Sequence, residues 1–403
     1  MATSTAPACA AFCRNANSCT EQAGSGAQRS FAVDAVRGLA VAGMIFVNNP
    51  GDWRHLAPPF AHAAWNGWTP TDLVFPAFLF LVGTSAVFSL SRRREEGATV
   101  PRLLGHVAKR GLVICIIGWA LALFPFGLHK IVRDGFGAWW PYLWDRIEHL
   151  RLPGVLPRIG LAYALGAAAL MGLRTRTAVT LAIIALLGAH TALLLSLGAL
   201  EPADNFQRTL DLAVIGQNHL YRSEPTDPEG LLSTLTAVAS LLSGALAGGA
   251  LRADGCGRSR ARTLLLAGVA AAIAGQLGHL WLPINKKLWT GSFVLLTAGL
   301  TACALGAATY LIDERRWSRP FAPLIVFGRN PLAAFVISGA LAILSTMVTL
   351  PLEGAPTIHA WGLGLLSFID DPVLRSHGYA AMFVLLMFAI LRGMEWRGWY
   401  WKV

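Results

Sequence analysis

Charge is the scarcest commodity in this sequence: only 14% of its 403 residues are Asp, Glu, Lys or Arg, against about a quarter in an ordinary soluble domain. So few charges cannot cover a water-facing surface, which excludes a soluble globular protein. Paired CxxC spacing is missing as well. The six cysteines are Cys9, Cys13, Cys19, Cys115, Cys256 and Cys303, and nothing in their arrangement indicates a metal site. The first 28 residues have no basic start followed by an apolar stretch, so they do not read as a signal peptide. They are expected to form a disordered cytoplasmic tail. No internal repeat and no low-complexity linker divides the remainder, which reads as one membrane domain over residues 29–403.

Long apolar runs are abundant. Val179–Ala199 carries no formal charge across the length needed to cross a bilayer. Backbone amides in hydrocarbon must be satisfied within their own segment, so such runs are helices. Ten spans are predicted, over roughly 31–49, 71–90, 107–127, 153–172, 178–199, 230–251, 263–282, 289–311, 330–351 and 378–395. The expected fold is therefore all-α, a polytopic transmembrane bundle.

The net charge of +11 does not indicate nucleic acid, because the basic residues form short clusters between apolar runs. With the N-terminus placed in the cytoplasm, that side holds 22 Lys and Arg against 8 Asp and Glu. The outer side holds 11 against 14. This asymmetry fits the positive-inside rule with both termini inside. All histidines except His106 then fall in the outer half, so proton-handling chemistry is expected there.

The stretch from Val33 to Gly83 is the least ordinary. Asp34 and Arg37 share a helix face three residues apart, either as an ion pair or as a contact for an anionic ligand. Asn48 and Asn49 close the first span, where amides are costly unless they face a cavity; Pro50–Gly51 then stops the helix. His62 follows in an outer loop with Trp65, Asn66 and Asp72 close behind. Imidazole can accept a proton near neutral pH, and a carboxylate can orient it. A loop histidine is otherwise simply solvated, and spacing alone leaves both readings open.

The motifs VRGLAVAGMIFVNNPG and FAHAAWNGWTPTDLVFPAFLFLVG closely resemble the heparan-α-glucosaminide N-acetyltransferase family and its bacterial relatives. RLPGVLPRIGLAY at Arg151–Tyr163, DPEGLLSTL at Asp227–Leu235, PINKKLWTGSFVLLTAG at Pro283–Gly299 and FGRNPLAAFVIS at Phe327–Ser338 continue the resemblance. It implies transfer of acetyl from cytosolic acetyl-CoA to an amino-sugar or glycan acceptor on the far side. It places the family's active-site histidine at His62, with Asn48 and Asp72 beside it. On this reading His62 is either the general base or an acetyl carrier. Arg37, Asn49, Arg158 and Arg329 are the expected acetyl-CoA contacts. Trp65, Asn66, Asn285 and Lys286 are the expected substrate contacts, and no metal is expected. Arg158, inside the fourth span, is expected to pair with an acid such as Asp72. The family's lysosomal enzyme carries a luminal domain before its first span, which the short tail here would not supply. A homodimer is a further expectation of the resemblance. Arg outnumbers Lys 28 to 5, which suggests a GC-rich bacterial genome and hence an inner membrane. The alternatives are O-acylation of an envelope polysaccharide, separable by the linkage formed, and secondary sugar transport, separable by uptake without acetyl-CoA.

Overall fold

The computed structural model describes residues 30–401 except Asp254 and Glu353. The N-terminal tail, with Cys9, Cys13 and Cys19, lies outside the described residues. Among those described there is no strand, only an antiparallel bridge between Thr349 and Thr357.

Among the described residues, nine helices are long and apolar enough to cross a membrane. Named in chain order, the helices are α1 (Phe31–Asn48), α2 (Val74–Glu95), α3 (Val100–Leu123), α4 (Leu128–Asp134), α5 (Phe136–Glu148), α6 (Val155–Gly172), α7 (Arg176–Leu197) and α8 (Phe206–Val214). They continue with α9 (Leu231–Arg252), α10 (Gly257–Gly278), α11 (Gly291–Ala308), α12 (Ala322–Arg329), α13 (Pro331–Met347), α14 (Ile358–Gly364) and α15 (Pro372–Trp396). A further helix pair passes the same test only when its two arms are taken together. Residues 319–329 and 331–347 meet at Asn330 with a 74° bend. Pro331 has no amide hydrogen and is suited to start a helix rather than continue one.

Apolar side chains gain nothing from meeting each other in lipid, so helices associate where small residues let backbones touch. A Cβ on Gly83 of α2 would lie 1.8 Å from the Leu241 carbonyl oxygen of α9, and one on Gly244 would lie 1.8 Å from that of Phe80. The half-helix α12 is seated on α1 in the same way, Gly38 against Leu324 and Gly328 against Asp34. Together α1, α2, α9 and α11 form the interior, while α3, α7 and α10 are mostly exposed at the bundle's outer surface.

One end of the bundle gathers Arg92–Arg94, Arg252 and Arg329; we call it the basic end. The other carries the loop between α1 and α2, with His62. Helices α4 and α5 belong to that second end, where Phe136, Trp140 and Trp144 are exposed, as expected of aromatic side chains at a membrane interface.

Candidate active site

The loop holding His62 is shaped from both flanks. Asn49 Nδ2 donates to Ile45 O at 2.7 Å and ends α1. The 3₁₀ turn Pro70–Leu73 opens α2 with a capping box between Thr69 and Asp72. One oxygen of Asp72, Oδ2, accepts from Thr69 N at 3.0 Å, Ala63 N at 3.1 Å and Thr69 Oγ1 at 3.2 Å. Such a box normally ends a loop and starts a helix. Here it also fixes the other oxygen, Oδ1, 2.7 Å from His62 Nδ1.

Lys286 completes the group. Its Nζ lies 3.2 Å from Asp72 Oδ1 and 3.0 Å from His62 Nδ1. An ammonium only donates and a carboxylate only accepts. The consistent assignment is that Nδ1–H of His62 and Nζ–H of Lys286 both donate to Asp72. The short Nζ–Nδ1 distance then reflects two donors sharing one oxygen. That assignment leaves the Nε2 lone pair of His62 available. Asp72 is 1% exposed, whereas the His62 side chain is 48% exposed. Burial pushes the Lys286 ammonium below the usual lysine range, and Asp72 pulls it back up.

Lys286 reaches this position through the turn between α10 and α11. Asn285 Oδ1 accepts from Leu288 N at 2.8 Å, and Asn285 Nδ2 donates to Asn66 Oδ1 at 3.1 Å. Gly67 N donates to Ile284 O at 2.8 Å, and Lys287 Nζ to Ala64 O at 2.8 Å. Trp65 Nε1 donates to Leu200 O at 2.8 Å. Trp289 takes a left-handed φ of 52°, costly for a bulky side chain. The ring is fully buried, donates to Ser240 Oγ at 3.0 Å and packs under the Arg158 guanidinium. The turn thus aims Trp289 inward and Lys286 at Asp72. Trp65, Asn66, Asn285 and Lys286 are all brought together with His62 and Asp72. Asn48, the last residue of α1, is exposed.

One expectation is corrected. Arg158 does not pair with Asp72. It donates to Gly230 O at 2.9 Å and to Ser233 Oγ at the start of α9, and the acids near it are Glu229, Asp227 and Asp211 rather than Asp72. Arg158 is 1% exposed, packs on Trp289 and keeps Nε and Nη1 buried without a hydrogen-bond partner. Asn49 donates one amide hydrogen to Ile45 O, which makes it a helix stop.

At the basic end, Arg37 donates through Nε to Gly328 O at 2.8 Å and through Nη1 to Ser85 Oγ at 3.1 Å, and pairs with Asp34. Arg329 pairs with Glu395. Both line a cavity of 390 Å³. Arg93, His106 and Arg110 also line its basic part, while Phe75, Leu156 and Ile159 line its apolar part. Phe75 lies one helical turn after Asp72, so the cavity extends from the arginines toward the His62 loop. Arg37, Ser85 and Arg93 are shared with an adjoining cleft of 500 Å³. The Nε atoms of Arg110 and Arg329 are buried without a hydrogen-bond partner, an arrangement that suits an anion. Arg110 escaped the sequence reading. The signal was an arginine inside the apolar run of the third span, where a charge is expensive unless it has a function. Among the described residues no group of three His, Cys, Asp or Glu side chains is placed to hold a metal.

These features define a class: a multi-pass helical membrane protein with a His–Asp–Lys cluster at one mouth and an arginine-lined cavity entering from the other. Residues 29–216 match the family model for the catalytic region of heparan-alpha-glucosaminide N-acetyltransferase. The human protein of that name is 28% identical over 76% of this chain and 52% of its own length. The mouse protein is 36% identical over 34% of this chain and 19% of its own. The chain is similar to these acetyltransferases, as its motifs indicated, and spans about half the length of the human one. The matched segment contains His62, Asp72, Arg93 and Arg110; Asn285, Lys286 and Arg329 lie beyond it.

Proposed function

We propose that this chain moves an acetyl group from acetyl-CoA, bound from the basic end, to an amine of an amino sugar or glycan at the His62 end. The observation that carries this reading is the cavity itself, with unpartnered arginine nitrogens at one end and the wall beneath the His62 loop at the other. The nucleotide of CoA is strongly anionic and suits Arg37, Arg93, Arg110 and Arg329. Its pantetheine arm is long and thin and suits the apolar part lined by Phe75, Leu156 and Ile159. The acetyl group crosses while neither the nucleotide nor the sugar has to. By the distribution of Lys and Arg the basic end faces the cytoplasm, and a bacterial inner membrane is the setting we favour.

The chemistry follows from the geometry. A neutral amine attacks the thioester carbonyl, and a C–N bond forms as the C–S bond breaks. His62 Nε2 takes the proton from the amine and returns it to the departing thiolate. Asp72 holds the ring by Nδ1 and stabilises its cation, and Lys286 balances the buried carboxylate. The resemblance assigns Asn48 beside this histidine, and on that reading its amide N–H serves the oxyanion. The same free Nε2 would also allow a covalent acetyl-imidazole; quench-flow trapping of acetylated enzyme separates the two routes.

The test is a pair of measurements on purified protein in nanodiscs, acetyl-CoA binding and acetyl transfer to glucosamine. His62→Ala should keep binding and lose transfer. Retention of transfer in that variant would remove His62 from the mechanism.

A further inference from the structure

Two apolar grooves run along the outside of the bundle, and they end differently. The larger, 1020 Å³, lies between α7 and α10, with Arg176 toward one end and Trp281 toward the other. The second, 610 Å³, is bounded by α1, α2, α11 and α15. No charged side chain lines it, and its only polar lining residues are Thr71 and Thr301. Leu39 on its wall is 54% exposed, so the groove opens sideways, toward lipid.

The far end of this second groove is made by Phe60, Pro70, Thr71 and Leu73. Phe60 is two residues before His62, and Thr71 immediately precedes Asp72. Thr71 Oγ1 donates to Pro59 O at 3.1 Å and ties the two limbs of the loop together. The end wall of the groove and the seat of the His62–Asp72 pair are therefore parts of one loop. Trp53, Phe60 and Trp68 in that loop are exposed, as aromatic residues are at the level of lipid headgroups.

We propose that the acceptor is lipid-linked: an amino sugar carried on a hydrocarbon chain, with the chain in this groove and the amine presented to His62. This rests on the reading of His62 as the acetyl-transfer site. The groove's lining argues for that occupant over an ordinary anionic phospholipid, because it offers no cation to a phosphate, whereas the larger groove offers Arg176. The bilayer already shelters the chain from water, so the groove adds no large hydrophobic gain. What it adds is orientation and local concentration: a tethered amine searches a plane rather than a volume and arrives pointed at the base.

The experiment uses the full chain in nanodiscs with two acceptors that share a headgroup, methyl glucosaminide and hexadecyl glucosaminide. A diazirine midway along the hexadecyl chain adds a readout independent of turnover. Cross-links should fall on α1, α2 and α11 along the groove, in wild type and in His62→Ala alike. The KM for the hexadecyl acceptor should be lower than for the methyl one. Gly43→Leu and Ala77→Phe, which fill the groove, should raise it about tenfold while leaving the methyl acceptor and acetyl-CoA unaffected. Cross-links in the α7–α10 groove would overturn the proposal, as would cross-links between two copies of the chain or variants that affect both acceptors equally. Groove cross-links with neither acceptor acetylated by wild type would instead overturn the acetyl-transfer reading, and the acceptor assignment with it.

Discussion

The two ends of this molecule solve opposite problems with the same kinds of residue. Around His62 the charges are answered: Asp72 accepts from five donors, one of them Lys286, and Lys287 is held by the Ala64 carbonyl and by Glu224. At the basic end, arginine nitrogens remain unanswered inside a cavity. A saturated network fixes one geometry and suits a group that must hold a proton in one place. Unsatisfied buried donors are costly in the free protein and suit a ligand that arrives with its own charge. On the proposed reading, the contrast gives chemistry to one end and binding to the other.

Substitutions should separate along that line. His62→Ala is expected to have the largest effect, cutting transfer by about a thousandfold with acetyl-CoA affinity unchanged in a binding titration. Next, Arg110→Ala should raise the Kd for acetyl-CoA by about tenfold to a hundredfold, the loss of a charged hydrogen bond, with kcat at saturation preserved. If it lowered kcat instead, the two ends would not be functionally separate. Lys286→Met, at the chemical end, should reduce kcat by on the order of tenfold while sparing KM for acetyl-CoA, and Lys286→Arg should recover part of it.

The smallest effect is on stability. Asp211, on α8 outside the spans, is fully buried and is pushed up to about 6, by burial first and by the nearby charge of Asp227 next. A carboxyl raised above its unfolded value favours the fold in its protonated form. Its contribution is full below the ordinary aspartate range and is lost as pH rises through about 6. Asp211→Asn should therefore raise Tm at pH 7.5 relative to wild type and change it little at pH 4. The difference corresponds to about 3 kcal/mol. Activity should not follow it.

Much of the fold was legible in the sequence because span length and hydropathy are local properties. The predicted first, fifth and sixth spans match α1, α7 and α9 to within a few residues. The bent helix pair was only half visible. Its second arm was expected from residue 330, but α12 is too short to read as a span and exists because Gly38 and Gly328 let it lie against α1. In the site, His62 and Asp72 are ten residues apart and could be connected by spacing and motif. Lys286 is more than two hundred residues away. Its grouping with them depends on a turn whose shape is set by Asn285 and Trp289, so the sequence suggested a substrate contact and a mistaken Arg158–Asp72 pair. The cavity-lining Arg110 was visible as an intramembrane charge, but its place opposite Arg329 was not.

The central claim is that acetyl passes through the protein between ends that never exchange their other ligands. Proteoliposomes with glucosamine enclosed and radiolabelled acetyl-CoA outside test it directly, because impermeant acetyl-CoA engages only molecules with the basic end outward. We expect N-acetylglucosamine to accumulate inside vesicles containing wild-type protein and not in those with His62→Ala. Product that forms only when acetyl-CoA and glucosamine share a compartment would contradict the claim.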